Sequence, residues 1–128
     1  MDTLDIKELL SKAFGDAFVF HPKFYEEFVE LVRGSGSERK ILTQFLRRLD
    51  AIRDLDDLDF GLKWLERLKK CDNLYSLHID ADGKNYRMLF SRSDDGKYFL
   101  HVFYERSGKK NSSYAVHIQT AINRRNEK

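Results

Sequence analysis

The chain has 128 residues, 41% of them hydrophobic, and a formal net charge of +2, a size that supports one compact domain with a modest core and excludes two independent ones. Residues 1–72 hold 13 Lys and Arg against 15 Asp and Glu, whereas residues 73–128 hold 10 against 6. The electropositive C-terminal half suits a polyanion such as RNA or DNA, or an acidic protein. The lone Cys71 excludes an intramolecular disulfide and favours an intracellular, cytoplasmic setting. The opening MDTLDIKELL lacks the basic-then-apolar layout of a signal peptide, and runs such as AFVF are far too short to span a bilayer, so no membrane partner is expected.

Leu4, Ile6, Leu9, Leu10 and Ala13 recur at near-helical spacing around the acidic Asp5 and Glu8, which predicts a short amphipathic helix over residues 3–14 that ends near Gly15. The run DAFVFHP changes period and closes on a proline. It reads as a strand, because Pro22 disfavours helix in the residue before it and suits the first turn of the helix after it. PKFYEEFVELVRG puts Phe24, Phe28, Leu31 and Val32 on one face and stops at Gly34. After GSGS, Ile41, Phe45, Leu49, Ile52 and Leu55 form the stripe of a second long helix, packed beside the first as a hairpin. The acidic DLDDLD, residues 54–59, lacks the glycine and closing glutamate of an EF-hand loop and reads as a solvated face; FGLKWLERLKK reads as a short helical or irregular piece.

From Asn73 the pattern becomes strand-like. NLYSLHI, KNYRMLFSRS and KYFLHVFYERS are separated by DADG and DDG, whose Asp-Gly pairs signal tight hairpins. SYAVHIQTAINRR returns to helical spacing through Val116, Ile118 or Ala121, and Ile122. The order α, β, α, α, β, β, β, α predicts an α+β fold: a small antiparallel sheet with helices packed on one face, plus an additional N-terminal helix within residues 1–15. The other face stays open. With Tyr86, Met88, Phe90, Tyr75, Leu77 and Ile79 turned toward the helices, alternation sends Arg87, Leu89, Ser91, Ser76 and His78 to the open face. Arg87 and His78 then share a surface.

LYSLHIDADGKNYRMLF, followed by FLHVFYERSGKK and the final HIQTAINRR, resembles the RelE/ParE toxin superfamily, most closely its HigB-like, phage-type branch. FHPKFYEEFVELV is similar to the opening strand and helix of that family, and the likeness spans roughly residues 17–126 as one domain, with every motif in order and none diagnostic alone. The resemblance implies the toxin of a type II toxin–antitoxin pair: a ribosome-dependent mRNA endoribonuclease, or mRNA interferase, that inhibits translation. It implies a cognate antitoxin, the ribosome and mRNA as partners, no cofactor and no metal, with the RNA's own 2′-hydroxyl as nucleophile. Arg87 matches the strand arginine that holds the scissile phosphate. Ser76 and His78 fall where RelE-type members carry two lysines, and Arg106, Lys109 and Lys110 match the basic, RNA-contacting segment before the last helix. The catalytic tyrosine of that helix has no counterpart in register here; Tyr114 and His117 are the nearby substitutes.

The chemistry makes the same demands without a family name. Internal attack on RNA needs a group to take the 2′-hydroxyl proton, one to stabilise charge growing on phosphorus and one to protonate the leaving 5′-oxygen. Arginine's planar fork suits the second task. His78, with an unperturbed pKa of about 6.5, would exchange protons across the neutral range. Plainer readings stand beside these. Arg87 is also suited to a surface ion pair with Asp80 or Asp82, His101 in its apolar strand to a core position with a satisfied hydrogen bond, and the lysines after Gly108 to a solvated loop. The four histidines and Cys71 show no metal-ligand spacing, and the glycines form no phosphate cradle. Two rival functions share the expected fold: a ParE-like toxin that acts on DNA gyrase without cutting RNA, and a degenerate member that keeps only partner binding.

Overall fold

The computed structural model describes residues 1–56, 58, 61–69, 71–94, 96–105 and 110–127, with the side chains of residues 110–113 outside the described set. The fold is α+β: α1 (Thr3–Phe14), β1 (Phe18–Phe20), α2 (Pro22–Arg33), α3 (Glu38–Ile52), β2 (Leu65–Arg67), β3 (Leu74–Ala81), β4 (Lys84–Ser93), β5 (Gly96–Glu105) and α4 (Lys110–Arg125). The five strands form one sheet in the order β1-β5-β4-β3-β2, antiparallel except for the parallel β1–β5 pair. Among the described residues no helix is long and apolar enough to cross a membrane.

The local signals act where the sequence places them. Asp2 and Asp5 cap α1 reciprocally, Asp5 N–H donating to Asp2 and Asp2 N–H to Asp5 at 2.9 and 3.0 Å, and the chain leaves the helix at Gly15 with φ +57°. Pro22 opens α2 behind an N-cap, His21, whose Nδ1 accepts from the Lys23 amide at 3.1 Å. Asp82 and Gly83, at φ +52° and +81°, make the turn that their Asp-Gly pair predicts between β3 and β4. Ser37 and Lys40 at the start of α3 both donate to the Asp82 carboxylate, which ties that turn to the helix.

The main core lies between one face of the sheet and α1, α2 and α3. Phe24, Phe28, Phe45, Phe90 and Phe99 pack through it, Phe90 stacked on Phe99 with centroids 4.7 Å apart and Phe45 edge-on to Phe99, and Ile41, Leu49, Ile52, Leu77, Ile79 and Met88 fill the remainder. Burying one such aromatic or aliphatic side chain is worth about 1.5–3 kcal/mol.

Three features differ from the sequence reading. WLERL is not helical: Leu65–Arg67 adds a strand to the outer edge of β3, where the His78 amide donates to Trp64 O at 2.8 Å and the Leu68 amide to Leu74 O at 2.9 Å. An edge strand's free backbone groups recruit a short neighbour that carries too few apolar positions for a helix stripe. The second face of the sheet is not open either. There α4 lays Ala121, Ile118 and Ile122 against Leu68, Leu74, Leu89, Leu100 and Phe103, forming a second core. Those strand residues make the face too apolar to remain wet. Third, Leu4 and Val116, both assigned to apolar stripes, are 61% and 64% exposed.

Candidate functional site

His78 and Arg87 are cross-strand partners in the β3–β4 register, and Ser76 stands opposite Leu89 two pairs further along, on the same face. All four project to the face covered by α4, which brings Tyr114 down beside them. The shared surface expected for Arg87 and His78 therefore exists, but as an interior.

The ion pair of Arg87 is not with Asp80 or Asp82. Its Nε–H donates to Glu105 at 2.6 Å, and the two side chains are 11% and 9% exposed. Asp82 is instead committed to Ser37 and Lys40. Sequence reading passed over Glu105; its one signal was a lone acid closing an apolar strand, at the β5 position paired with Asn85, two residues from Arg87. Four buried polar atoms of the cluster, Ser76 Oγ, His78 Nε2, Arg87 Nη1 and Tyr114 OH, have no hydrogen-bond partner among the described residues. Such a concentration is costly and usually has a reason.

Burial first, then the neighbouring positive charge of Arg87, pushes the His78 pKa down to about 4. The imidazole is neutral at neutral pH, so the 3.5 Å approach of Glu66 to Nε2 is not an ion pair there. This revises the expectation of a proton exchanger near pH 6.5: His78 acts as a neutral hydrogen-bonding group unless its surroundings open. Burial pushes the Tyr114 phenol up, with the nearby Ser76 hydroxyl opposing. The two hydroxyls are neighbours without meeting in hydrogen-bond geometry.

A second polar cluster docks α4 onto β5 and α2. Arg124 grips Glu27 with both terminal nitrogens, at 2.7 and 2.8 Å, and also donates to Leu100 O at 2.9 Å. Glu27 meets His101 Nδ1 at 2.9 Å, and His101 Nε2 meets His117 Nδ1 at 2.6 Å. Burial alone would raise the Glu27 carboxyl, but hydrogen bonds from His101 and Arg124 outweigh it and hold the pKa at about 2. His117 lies flat on Phe103, with centroids 3.8 Å apart and planes 6° from parallel. His101 is thus the buried, hydrogen-bonded histidine expected, while Glu27 and Arg124 carried no sequence signal beyond their charge.

The bulge that moves His101 explains part of this arrangement. Leu89 pairs with His101 while Phe90 pairs with Phe99, so Leu100 is an extra residue in β5. Strict alternation would put His101 on the face of Phe99; the bulge turns it toward α4 instead.

Arg106 and Lys109 of the basic segment lie outside the described residues, and Lys110 opens α4 with its side chain also outside them. A separate polar cleft of about 420 Å³ beside the β4–β5 turn is lined by Arg92, Asp94 and Lys97 among others and contains none of the sequence-derived candidates. Among the described residues no three His, Cys, Asp or Glu side chains are placed to hold a metal ion.

Fold and site together define a small α+β protein with a buried arginine, histidine and hydroxyl cluster roofed by its last helix. No protein-family model matches the chain, and no curated protein matches it.

Proposed function

We propose that the chain is the toxin of a type II toxin–antitoxin pair, acting in the cytoplasm as a ribosome-dependent, metal-independent mRNA endoribonuclease. The observation that carries this reading is the convergence of Arg87, His78, Ser76 and Tyr114 on one patch, with an arginine that spends Nε on Glu105 and whose Nη1 has no partner among the described residues. A guanidinium with spare donors grips a phosphate in two-pronged fashion and stays charged throughout the working pH range. Tyr114, protonated at neutral pH, is suited to donate to a leaving oxygen. The antitoxin on this reading is an acidic or amphipathic segment that covers the basic stretch from Arg106 to Lys110 or displaces α4.

The buried Arg87–Glu105 pair favours a second reading, because a carboxylate already occupies the place of a phosphate and α4 lies over both. Under it the chain binds a partner without cutting RNA, either as a ParE-like protein acting on gyrase or as a member that has lost catalysis.

A cell-free translation assay with the purified full chain separates them. Mapped mRNA breaks that require ribosomes are the expected result. Intact mRNA with impaired supercoiling would support the gyrase reading, and intact mRNA with normal supercoiling would leave partner binding alone.

A further inference from the structure

The polar cleft of about 420 Å³ beside the β4–β5 turn is bounded by Leu55 and Asp56 beyond α3, by Asn73 ahead of β3, and by Arg92, Asp94 and Lys97 of the hairpin. Its volume lies within the range of small-molecule sites, about 300–1,000 Å³, yet Leu55 is its one aliphatic side chain and no aromatic ring is among its described lining residues. Arg92 and Lys97 are direct cross-strand partners. Alternation turns both to the face that carries Phe90 and Phe99, where two like charges set opposite each other repel. Lys97 is only 8% exposed. Its Nζ donates to Arg53 O, at the C-terminus of α3, over a long 3.4 Å, which uses one of three ammonium donors. The Arg92 guanidinium has no hydrogen-bond or ion-pair partner among the described residues. Burial first, then Arg92, push the Lys97 pKa down, with Asp56 and Asp54 opposing. An anion seated between the two cations would relieve their repulsion and the lysine's desolvation together. At the rim, Asp56 and Asp94 are exposed carboxylates without an ion-pair partner among the described residues, whereas Asp54 is turned to Arg53 at 3.6 Å.

We propose that this cleft binds a sugar phosphate, with a phosphate monoester on Arg92 and Lys97 and the sugar hydroxyls on the carboxylates of Asp56 and Asp94. A phosphate monoester carries about −1.5 to −2 charges at neutral pH, which two cations match and a single carboxylate would not. Arg92 supplies a planar fork and Lys97 a point charge. Ionised carboxylates only accept hydrogen bonds, so the two acids select a ligand that brings donors beside its anion. Hydroxyls on the adjoining sugar answer that demand. Bare phosphate does not, and it meets the repulsion of both acids with nothing to offset it. The lining also lacks the ring on which a nucleobase would stack, which favours a sugar phosphate over a nucleotide. Arg92 lies on the opposite face of β4 from Arg87, so the cleft is separate from the cluster beneath α4 and does not depend on the nuclease reading.

The test titrates the full chain with ribose 5-phosphate, inorganic phosphate and ribose at constant ionic strength and neutral pH, followed by backbone-amide NMR. Ribose 5-phosphate should give saturable shifts at Asp56, Asn73, Arg92 and Lys97, and should bind more tightly than either of its parts. Arg92→Ala and Lys97→Met should each weaken it ~10–100-fold, the scale of one lost hydrogen bond to a charged group. The double variant Asp56→Ala, Asp94→Ala should weaken ribose 5-phosphate and tighten inorganic phosphate, because the rim loses two hydroxyl acceptors and two negative charges at once. Shifts that stay linear, or that spread over the surface without marking the cleft, overturn the site. Unchanged affinity in Arg92→Ala overturns the phosphate placement; that side chain is partly exposed and its loss does not threaten the fold, which the same spectra check. Tightening of both ligands in the double aspartate variant overturns the hydroxyl assignment.

Discussion

Arg87 and Glu105 form a nearly closed ion pair beneath α4, Nε to carboxylate at 2.6 Å. Taking two charges out of water is expensive, and such a pair is better evidence of a specified arrangement than of net stability. Removing one partner is therefore the informative perturbation.

Glu105→Ala leaves the guanidinium buried and uncompensated. It should destabilise the fold by about 3–5 kcal/mol, read as a shift in the urea midpoint at pH 7. The double variant Arg87→Met, Glu105→Leu should recover most of that loss, because two apolar side chains of similar volume need no partner. A double variant as unstable as the single would mean that the pair contributes through packing rather than charge.

Arg87→Ala is a poor probe of activity, since it strands Glu105. Arg87→Lys keeps the charge and loses the fork. On the nuclease reading it should cost ~10²–10³-fold in cleavage rate, the scale of one lost transition-state donor, with a smaller fall in stability than Arg87→Ala. Activity and melting temperature that decline in parallel across both variants would make Arg87 a structural residue.

Acid should weaken the fold in two windows. His78 is held at about 4 against an ordinary 6.5, so below 6.5 the unfolded chain takes up a proton that the folded chain refuses. Its contribution is whole above pH 6.5 and drains away toward pH 4. Glu27, at about 2 against an ordinary 4.5, contributes fully above pH 4.5 and is lost as the pH falls toward 2. His117, also lowered, adds to the upper window, so His78→Gln should flatten only part of it. Urea unfolding across pH 2–8 checks this; a profile for His78→Gln that overlays the wild type between pH 4 and 6.5 would contradict the depressed value.

Gly83→Ala tests the hairpin between β3 and β4. The position has φ +81° and nothing within 4 Å of an added Cβ, so the only penalty is conformational. It should cost about 1–2 kcal/mol, visible as a lowered melting temperature. A neutral result would show that the turn relaxes into another type without loss.

Much of this protein was legible in its sequence because the signals are local. Proline at a first turn, glycine at a helix end, Asp82-Gly83 between two alternating runs and the Phe24, Phe28 and Phe45 stripes each act within a few residues, and the structure uses them; the second Asp-Gly pair includes Asp95, which lies outside the described residues. Alternation along β3 and β4 is by itself enough to put His78 on the same face as Arg87, its cross-strand partner. Only the tertiary structure decided the remainder. The bulge at Leu89 and Phe90 turns His101 from one face to the other, and no count of residues along β5 reveals where alternation slips. Whether the second face meets water or α4 depends on Leu68, Leu74, Leu89, Leu100 and Phe103 meeting only after the sheet is assembled. The partner of a buried charge is chosen in the same way: Glu105 rather than Asp80 or Asp82 for Arg87, and Arg124, 97 residues away in the chain, for Glu27. Desolvation then sets the protonation states, which is why His78, an ordinary titrating histidine as a letter in a sequence, is a neutral one in the fold.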